Sequence, residues 1–296
     1  MEKTSLRQAN ARAIAVGTVS EIKLEKKKEN GVDRIEGNVV VKTSDINFIS
    51  FRVYCNEKKN DGEDNPAFAG LETVMNEYKS IADVGEAEAD KVRVNGQINL
   101  YYSGRTGNEY VGYNASYFTR IKNVDDFQPE AAFEVETFIK SILPEVDKEG
   151  EETGRTIIKG WTPTYNGIEP IELIADAEYT DAINSHYEVG QTVEFYGDIV
   201  NSRVTITTEK PVAFGKPKKE VKTSYVNELR ITGGSEPYED EEGEGAHVPY
   251  DADVVRAAVA ERDHRIEEER AKASSSAKAK PNAKPSGAKS GRSLNW

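Results

Sequence analysis

The stretch Lys91-Val92-Arg93-Val94-Asn95-Gly96-Gln97-Ile98 decides the fold, because the chain contains its pattern twice. Residues 192–199, which read Thr-Val-Glu-Phe-Tyr-Gly-Asp-Ile, repeat the motif x-Val-x-apolar-x-Gly-x-Ile in the second half of the chain. Alternation of apolar and polar residues is typical of a half-buried β-strand, and a glycine inside such a strand indicates a bulge or a tight bend. A repeated strand predicts a repeated domain.

The first copy of the domain is predicted to span residues 1–124. Its pattern gives three strands, one short amphipathic helix over residues 70–81, and a hairpin of two strands. This is the element order of an OB-fold, a five-stranded, partly open Greek-key barrel. The predicted strands cover residues 12–24, 34–42, 49–56, the Gly96 stretch and 109–121, and a lysine-rich turn joins the first two of them.

The same order returns in residues 125–233. Predicted strands cover residues 133–146, 155–162, 168–175, the Gly197 stretch and 225–232, with a short helix over 176–187. Residues 204–208 read as a further strand that has no counterpart in a five-strand count. The predicted fold class is therefore mainly β, with two OB-fold-like five-stranded barrels in tandem.

Three further segments follow the predicted barrels. Residues 234–250 form an acidic linker, in which the run from Glu236 to Glu244 is expected to be unpacked. Asp251 is placed to cap an amphipathic helix over residues 251–272. Residues 273–296 are rich in Ser, Ala, Lys, Pro and Gly, and this composition predicts a disordered basic tail.

Charge is distributed unevenly along the chain, whose net charge is −13. Residues 1–124 hold 18 basic and 18 acidic residues, whereas residues 125–233 hold 11 and 21. Any nucleic-acid site must therefore come from a local basic face, and the first module is the better place for it. With no long apolar run and no apolar signal segment, we expect a protein of the cytoplasm, that of a bacterial host cell if its origin is phage or plasmid.

The sequence offers no support for an enzyme, a cofactor site or a metal site. It contains three histidines and one cysteine, Cys55, too few for a thiolate zinc site. No phosphate-binding glycine loop follows a strand. The paired acidic residues 125–126 and 151–152 lie in predicted linkers or turns, where solvated loop charge explains them better than magnesium binding does.

The outward face of the first module combines cationic and aromatic residues, which single-strand binders use to meet phosphates and to stack on bases. Alternation turns the side chains of Arg52 and Tyr54 away from the core. The second module contributes Trp161, although its net charge of −10 disfavours a phosphate backbone. The predicted nucleic-acid-binding residues are Lys26, Lys27, Lys28, Lys42, Arg52, Tyr54, Arg93, Tyr101, Arg105, Tyr110 and Trp161.

Structural explanations exist for the same residues. The tyrosines can cover barrel edges, because β-rich proteins are generally rich in aromatic residues. The three lysines at 26–28 can form a solvated turn, since Glu25 and Glu29 flank them. Of the two explanations for Trp161, a position in the core is favoured two to one over a contact with a base. The second module can serve dimerisation or partner binding instead, and the sequence leaves the oligomeric state open.

Paired barrels followed by an acidic C-terminal region resemble the single-stranded DNA-binding proteins of bacteriophage replication systems. The resemblance covers residues 12–232 and rests on strand order and on the two x-Val-x-apolar-x-Gly-x-Ile strands. It implies a protein that coats single strands during DNA replication or recombination and recruits replication or recombination proteins. The familiar bacterial type ends in an acidic tip that closes on Pro-Phe, whereas residues 291–296 here are basic and then apolar.

The sequence thus predicts a non-enzymatic protein that binds single-stranded DNA with little sequence preference, without a membrane partner. RNA stays open as the bound strand, because the sequence does not show whether a 2′-hydroxyl is read. The alternative is a β-rich structural or assembly protein, such as a virion component, whose barrels form protein interfaces. In that case the C-terminal helix and Trp296 would dock on a partner. A strand-binding protein would instead meet replication or recombination proteins through the acidic region and the C-terminal helix.

Overall fold

The computed structural model describes residues 6–29, 31–123, 125, 127–210, 218–239 and 248–278. Within these residues the fold is mainly β, with ten strands in one hydrogen-bonded sheet that closes on itself twice. The strand order is β2-β3-β5-β4-β1-β6-β7-β8-β10-β9, with closing pairs β1–β2 and β6–β9. None of the helices described combines the length and the apolar composition that crossing a bilayer requires.

The first barrel closes in the order β1-β2-β3-β5-β4 and back to β1. Its one parallel pair joins β3 to β5, where Phe51 lies opposite Tyr113. Alternation produces the core: Val92, Val94 and Leu100, which share one face of the Gly96 strand, are buried. The elements are β1 (Ala11–Glu29), β2 (Val32–Lys42), β3 (Phe48–Asn56), α1 (Pro66–Glu77), α2 (Ile81–Val84), β4 (Lys91–Ser103) and β5 (Asn108–Arg120).

The second barrel repeats this closure in the order β6-β7-β8-β10-β9 and back to β6. Its parallel pair joins β8 to β10, as β3 joins β5 in the first barrel. A 3₁₀ turn over Ala177–Tyr179 precedes the short helix. The elements are β6 (Glu130–Val146), β7 (Glu152–Thr164), β8 (Gly167–Ala175), α3 (Thr180–His186), β9 (Thr192–Lys210) and β10 (Lys218–Gly234); α4 (Ala252–Lys278) follows.

The two barrels are joined through their equivalent first strands. β1 pairs with β6 in antiparallel register from Ala11 opposite Val135 to Val16 opposite Glu130. Antiparallel pairing of equivalent strands is the arrangement that a twofold axis produces. A second link lies at the β2–β3 turn, where Asn47 accepts from the amide of Asn201 at 2.7 Å and donates to the carbonyl of Ile199 at 3.0 Å.

The two repeated glycines lie opposite bulges in the last strand of each barrel. The β4–β5 register skips one residue of β5, Ser116, beside Gly96, and the β9–β10 register skips Thr232 beside Gly197. A β-carbon at Gly96 would lie 2.4 Å from the carbonyl oxygen of Asn114. The glycine therefore lets the backbone of the bulged strand approach closely.

Several strands are longer than the pattern predicts. β1 continues through Glu29, so Lys26, Lys27 and Lys28 lie in a strand that pairs with β2 and not in a turn. Hydrogen bonding across the hairpin overrides the polar composition there. Residues 204–208 continue β9 and are not an additional strand. The stretch from Lys210 to Lys222, rich in lysine and with two prolines, was expected to be an insertion before the last strand. β9 ends at Lys210 and β10 begins at Lys218, while residues 211–217 lie outside the described residues.

The C-terminal region packs on both barrels. Asp251 Oδ1 accepts hydrogen bonds from the amides of Asp253 and Val254, which is the predicted cap. α4 runs to Lys278, six residues past the predicted end, while residues 279–296 lie outside the described residues. The acidic linker is partly packed, since the Tyr238 amide bonds to the Thr192 carbonyl at 2.9 Å. Residues 240–247 of that linker lie outside the described residues.

A buried carboxylate fastens the chain ends to the second barrel. Glu136 is only 3 % exposed and accepts from the Arg7 guanidinium at 2.6 Å, the Asn10 amide at 2.7 Å and the Tyr250 hydroxyl at 3.2 Å. Burial opposes ionisation, but the hydrogen bonds from Arg7 and Asn10 outweigh it and hold the pKa of Glu136 below its ordinary value. The ionised form is therefore part of the folded state.

This lowered pKa predicts a pH dependence of stability. The carboxylate's contribution to the free energy of unfolding is fully present above the unfolded pKa of about 4.3 and is lost as the pH falls through the lower folded pKa. We expect the difference in unfolding free energy between the wild type and Glu136→Gln to be largest at neutral pH and to shrink below about pH 4. Urea unfolding of both proteins across this range measures it; a difference that is constant with pH would contradict the assignment.

Candidate nucleic-acid interface

The outer face of β3, β5 and β4 in the first barrel carries a polar row. Arg52 on β3 lies opposite Asn114 on β5, and Asn114 lies opposite Gln97 on β4. All three are exposed, because successive residues alternate between the barrel core and solvent. The adjacent inward residues Phe51 and Tyr113 are buried and fix the register of this face. The row provides one cation and two amide side chains on an open, rigid surface.

Two tyrosines lie on the same face at the end of the β4–β5 hairpin. Tyr101 and Tyr110 are cross-strand partners, and their ring centroids lie 5.5 Å apart with the ring planes inclined by 22°. Tyr101 is 45 % exposed and Tyr110 is 38 % exposed. Thr106 in the turn lies 2.9 Å from the Tyr110 hydroxyl and helps to hold the pair. Exposed, pre-positioned aromatic faces are suited to base stacking.

Tyr54 is a third exposed aromatic residue on this face, two residues along β3 from Arg52. Arg34 on β2 donates to its hydroxyl at 3.0 Å, and the guanidinium carbon lies 5.0 Å from the ring centroid. Sequence reasoning missed Arg34. Arg34 lies opposite Asn56 in the β2–β3 register, and this places it beside Tyr54. The alternation within one strand does not show which residue of the neighbouring strand lies opposite.

Most of the predicted cations are held by carboxylates. Lys26 contacts Asp33 at 3.1 Å and Glu72 at 2.9 Å. Hydrogen bonds to carboxylates raise the pKa of Lys26, Lys27 and Lys42, which keeps them protonated. The remaining ion pairs are Lys27 with Glu25 and Glu36, Lys28 with Asp33, Lys42 with Asp45 and Glu86, and Arg93 with Glu130 at 4.0 Å. Exposed pairs of this kind contribute little to stability, so a phosphate can compete for them.

Arg52 and Arg105 differ from the other predicted cations. Over the stretches of chain that the structure describes, neither guanidinium has a carboxylate partner or a hydrogen bond to another side chain. Arg105 lies in the turn of the hairpin that carries Tyr101 and Tyr110. These two arginines are therefore the predicted cations best placed to meet a phosphate on this face.

Trp161 lies on β7 of the second barrel, apart from the face on β3, β5 and β4. Its ring is half-buried between two cations: the Lys140 ammonium lies 4.9 Å from the ring centroid and the Arg262 guanidinium carbon of α4 lies 5.7 Å away. Buried residues around it include Ile168 and Val255. One side of the ring is thus covered by α4, which the sequence did not predict.

An acidic stretch of α4 lies beside the hairpin of the candidate face. Glu269 contacts Gly104, where a β-carbon would lie 3.3 Å from the Glu269 carboxylate oxygen. Arg270 donates to the Tyr102 hydroxyl at 2.6 Å. Residues 269 and 270 of α4 therefore lie beside Tyr101 and the β4–β5 turn, and Glu269 places a negative charge at the border of the face. Among the described residues, no group of three His, Cys, Asp or Glu side chains is arranged to hold a metal ion.

Solved structures align with this chain at low sequence identity. A deletion variant of the single-stranded DNA-binding protein from Thermus aquaticus aligns with a TM-score of 0.48 at 10 % identity, over 81 % of this chain and 100 % of that one. The wild-type protein from the same organism gives a TM-score of 0.46 at 10 % identity, over 80 % and 98 %. No curated protein matches the sequence. The model of the YorF family matches residues 10–272, nearly the whole of the described chain, and the protein therefore belongs to the YorF family.

Proposed function

We propose that the protein binds single-stranded DNA, without marked sequence preference, on the outer face of the first barrel. The observation that carries the proposal is that three exposed tyrosines, Tyr54, Tyr101 and Tyr110, lie on one sheet face with Arg52, whose guanidinium has no partner among the described residues. Tyrosine rings accept any base by stacking, and arginine meets the phosphates between the bases. The amides of Gln97 and Asn114 add hydrogen-bonding groups between the aromatic positions.

The ion pairs on the same barrel define the expected salt response. Lys26, Lys27 and Lys42 lie in exposed pairs that contribute little to stability, so they can be exchanged for phosphate contacts. Each phosphate neutralised releases counterions, and the affinity falls as salt rises. In a phage or plasmid replication system, such a protein would coat transient single strands during replication or recombination. The acidic region and α4 would then be available to replication proteins.

Replacing the stacked pair tests the proposal directly. We expect the double variant Tyr101→Ala, Tyr110→Ala to bind oligo-dT at least tenfold more weakly, because stacking contributes about 1–3 kcal/mol per base. The matched control is Tyr196→Ala, a 47 % exposed tyrosine on β9 of the second barrel, which should leave the affinity unchanged. Fluorescence anisotropy of labelled oligo-dT at two salt concentrations measures both.

Two outcomes would count against single-stranded DNA. If wild-type protein at micromolar concentration leaves the anisotropy of oligo-dT unchanged in low salt, the barrel face does not bind DNA. If oligo-rU binds more tightly than oligo-dT and the double variant loses only that binding, the strand recognised is RNA. Arg52→Ala tests whether this guanidinium meets a phosphate of the bound strand. Its control is Arg256→Ala, which removes an exposed arginine of α4.

A second candidate function is a protein interface in an assembly or structural role. The observation that favours it is the extensive ion pairing of Lys26, Lys27, Lys28, Lys42 and Arg93, which reduces the positive field of the first barrel. Mass measurement in solution, with and without oligonucleotide, separates the two functions. A stable oligomer whose mass does not change when oligo-dT is added would favour the interface.

A further inference from the structure

A groove runs between the two barrels next to the candidate face. One wall is the start of β5, with Glu109, Tyr110 and Val111. The other wall is the outer surface of β7 and β8, with Lys159, Trp161 and Glu172, and Lys140 of β6 lies beside it. Tyr110 belongs both to this groove and to the stacked tyrosine pair, so the two surfaces are continuous.

Lys140 is the groove's most available cation. It is exposed at a bulge in β6, where the β6–β7 register skips from Ile139 to Ser141. Its ammonium contacts the Trp161 ring, and it forms no ion pair within the described chain. The carboxylates of the groove already have partners: Glu109 accepts from Arg262 at 2.6 Å, and Glu172 lies 3.1 Å from the Lys159 ammonium. Farther along the groove, Glu145 and Glu228 lie 3.5 and 2.8 Å from the Arg155 guanidinium. An anion entering beside Tyr110 therefore meets Lys140, which has no ion pair within the described residues, and carboxylates that are each paired with a cation.

We infer that a single strand continues from the first barrel into this groove, where Lys140 contacts its phosphate backbone beside Trp161. This inference rests on the proposed function. It extends the site from the tyrosine pair of the first barrel across Tyr110 to the second barrel. Lys140 supplies the charge, while Trp161, covered by Arg262 on its α4 side, presents its remaining edge and keeps the lysine in place.

The extended path makes the contribution of Lys140 depend on strand length. A strand of about eight nucleotides fits the first barrel alone, since a single OB-fold covers about 4–16 nucleotides, whereas one of about thirty reaches the groove. We expect Lys140→Glu to weaken binding of the longer oligo-dT about tenfold and to leave the shorter one within about twofold. For the longer strand, Lys140→Ala should reduce the slope of log affinity against log salt by about one.

The control is Lys122→Glu. Lys122 is exposed and follows the far end of β5, about 40 Å along the strand from Tyr110. It carries the same change of charge, so any general effect of added negative charge appears in both variants. Lys140→Arg should bind the longer strand as the wild type does, because it keeps a cation over the indole ring. Thermal unfolding of each variant checks that the second barrel is intact.

The results separate this inference from the proposed function. If the wild type binds neither oligonucleotide, the proposed function fails. If the wild type binds both and Lys140→Glu equals the wild type on the longer strand, the groove is not part of the path, although the first barrel still binds. Equal weakening of Lys140→Glu and Lys122→Glu on both lengths would show a general charge effect and would also overturn the inference.

Discussion

Gly197→Ala is expected to destabilise the protein by about 3 kcal/mol or more, at the upper end of the cost of overpacking. A β-carbon at residue 197 would lie 1.9 Å from the carbonyl oxygen of Arg230 and 2.8 Å from the amide nitrogen of Thr232. Both atoms belong to the backbone of β10, so no flexible side chain can move away. The substitution can be accommodated only if β9 and β10 separate at the bulge, and this opens the second barrel.

Gly70→Ala is the matched control for this prediction. Residue 70 lies on the exposed side of α1, and nothing lies within 4 Å of a β-carbon placed there. Alanine favours a helix interior by about 1 kcal/mol over glycine, so the same substitution should be neutral or stabilising. Urea unfolding measures both free energies. If Gly197→Ala were as stable as the wild type, the backbones of β9 and β10 would not approach each other at the bulge as closely as the structure shows.

Glu169→Ala should cost about 3 kcal/mol, because it removes the buried one among the carboxylates that pair with the buried Arg262 guanidinium. Glu169 on β8 accepts from Arg262 Nε at 2.8 Å and from Arg265 at 2.5 Å. The side chains of Glu169 and Arg262 are only 6 % and 5 % exposed. Arg262 would keep Glu109 of the first barrel, which limits the loss. We expect the loss to fall first on α4.

Hydrogen exchange along α4 measures this effect, together with the global free energy of unfolding. Asp253→Ala removes the exposed pair with Arg256 on the same helix and should change stability by less than about 0.5 kcal/mol. Faster exchange confined to α4 in Glu169→Ala alone would confirm that the buried ion pair fastens the helix. Unchanged exchange would mean that the apolar contacts of Val255 and Ile266 hold α4 without it.

Local patterns account for how well the barrels are predicted. In β3 and β4 the alternation places Phe51, Val53 and Val94 in the core and Arg52 and Tyr54 outside, as the structure has them. Alternation weakens where both faces are polar, and for that reason the strand character of Lys26 to Lys28 was missed. Residues 204–208 were predicted as a strand of their own, whereas they continue β9. Those segments become strands because a hairpin partner pairs their backbone, whatever their side chains are.

The candidate site was less predictable than the fold. Exposure of Tyr101 and Tyr110 follows from alternation, but their stacking depends on the β4–β5 register. Lys140 escaped notice because a bulge breaks the two-residue period at its position, so alternation does not define its direction. Ion pairing of Lys26 and Lys42 depends on Glu72 and Glu86, residues more than forty positions away that meet them only after folding.

The sequence by itself determined the doubled barrel and the place of its two critical glycines. A period of two along a strand and an element order repeated along the chain are local properties, which need no knowledge of distant contacts. Tertiary structure alone decided which cations stay unpaired, how β1 and β6 join the barrels, and that α4 covers Trp161. These features arise between residues far apart in the chain, so only the packed barrels bring their charges and rings together.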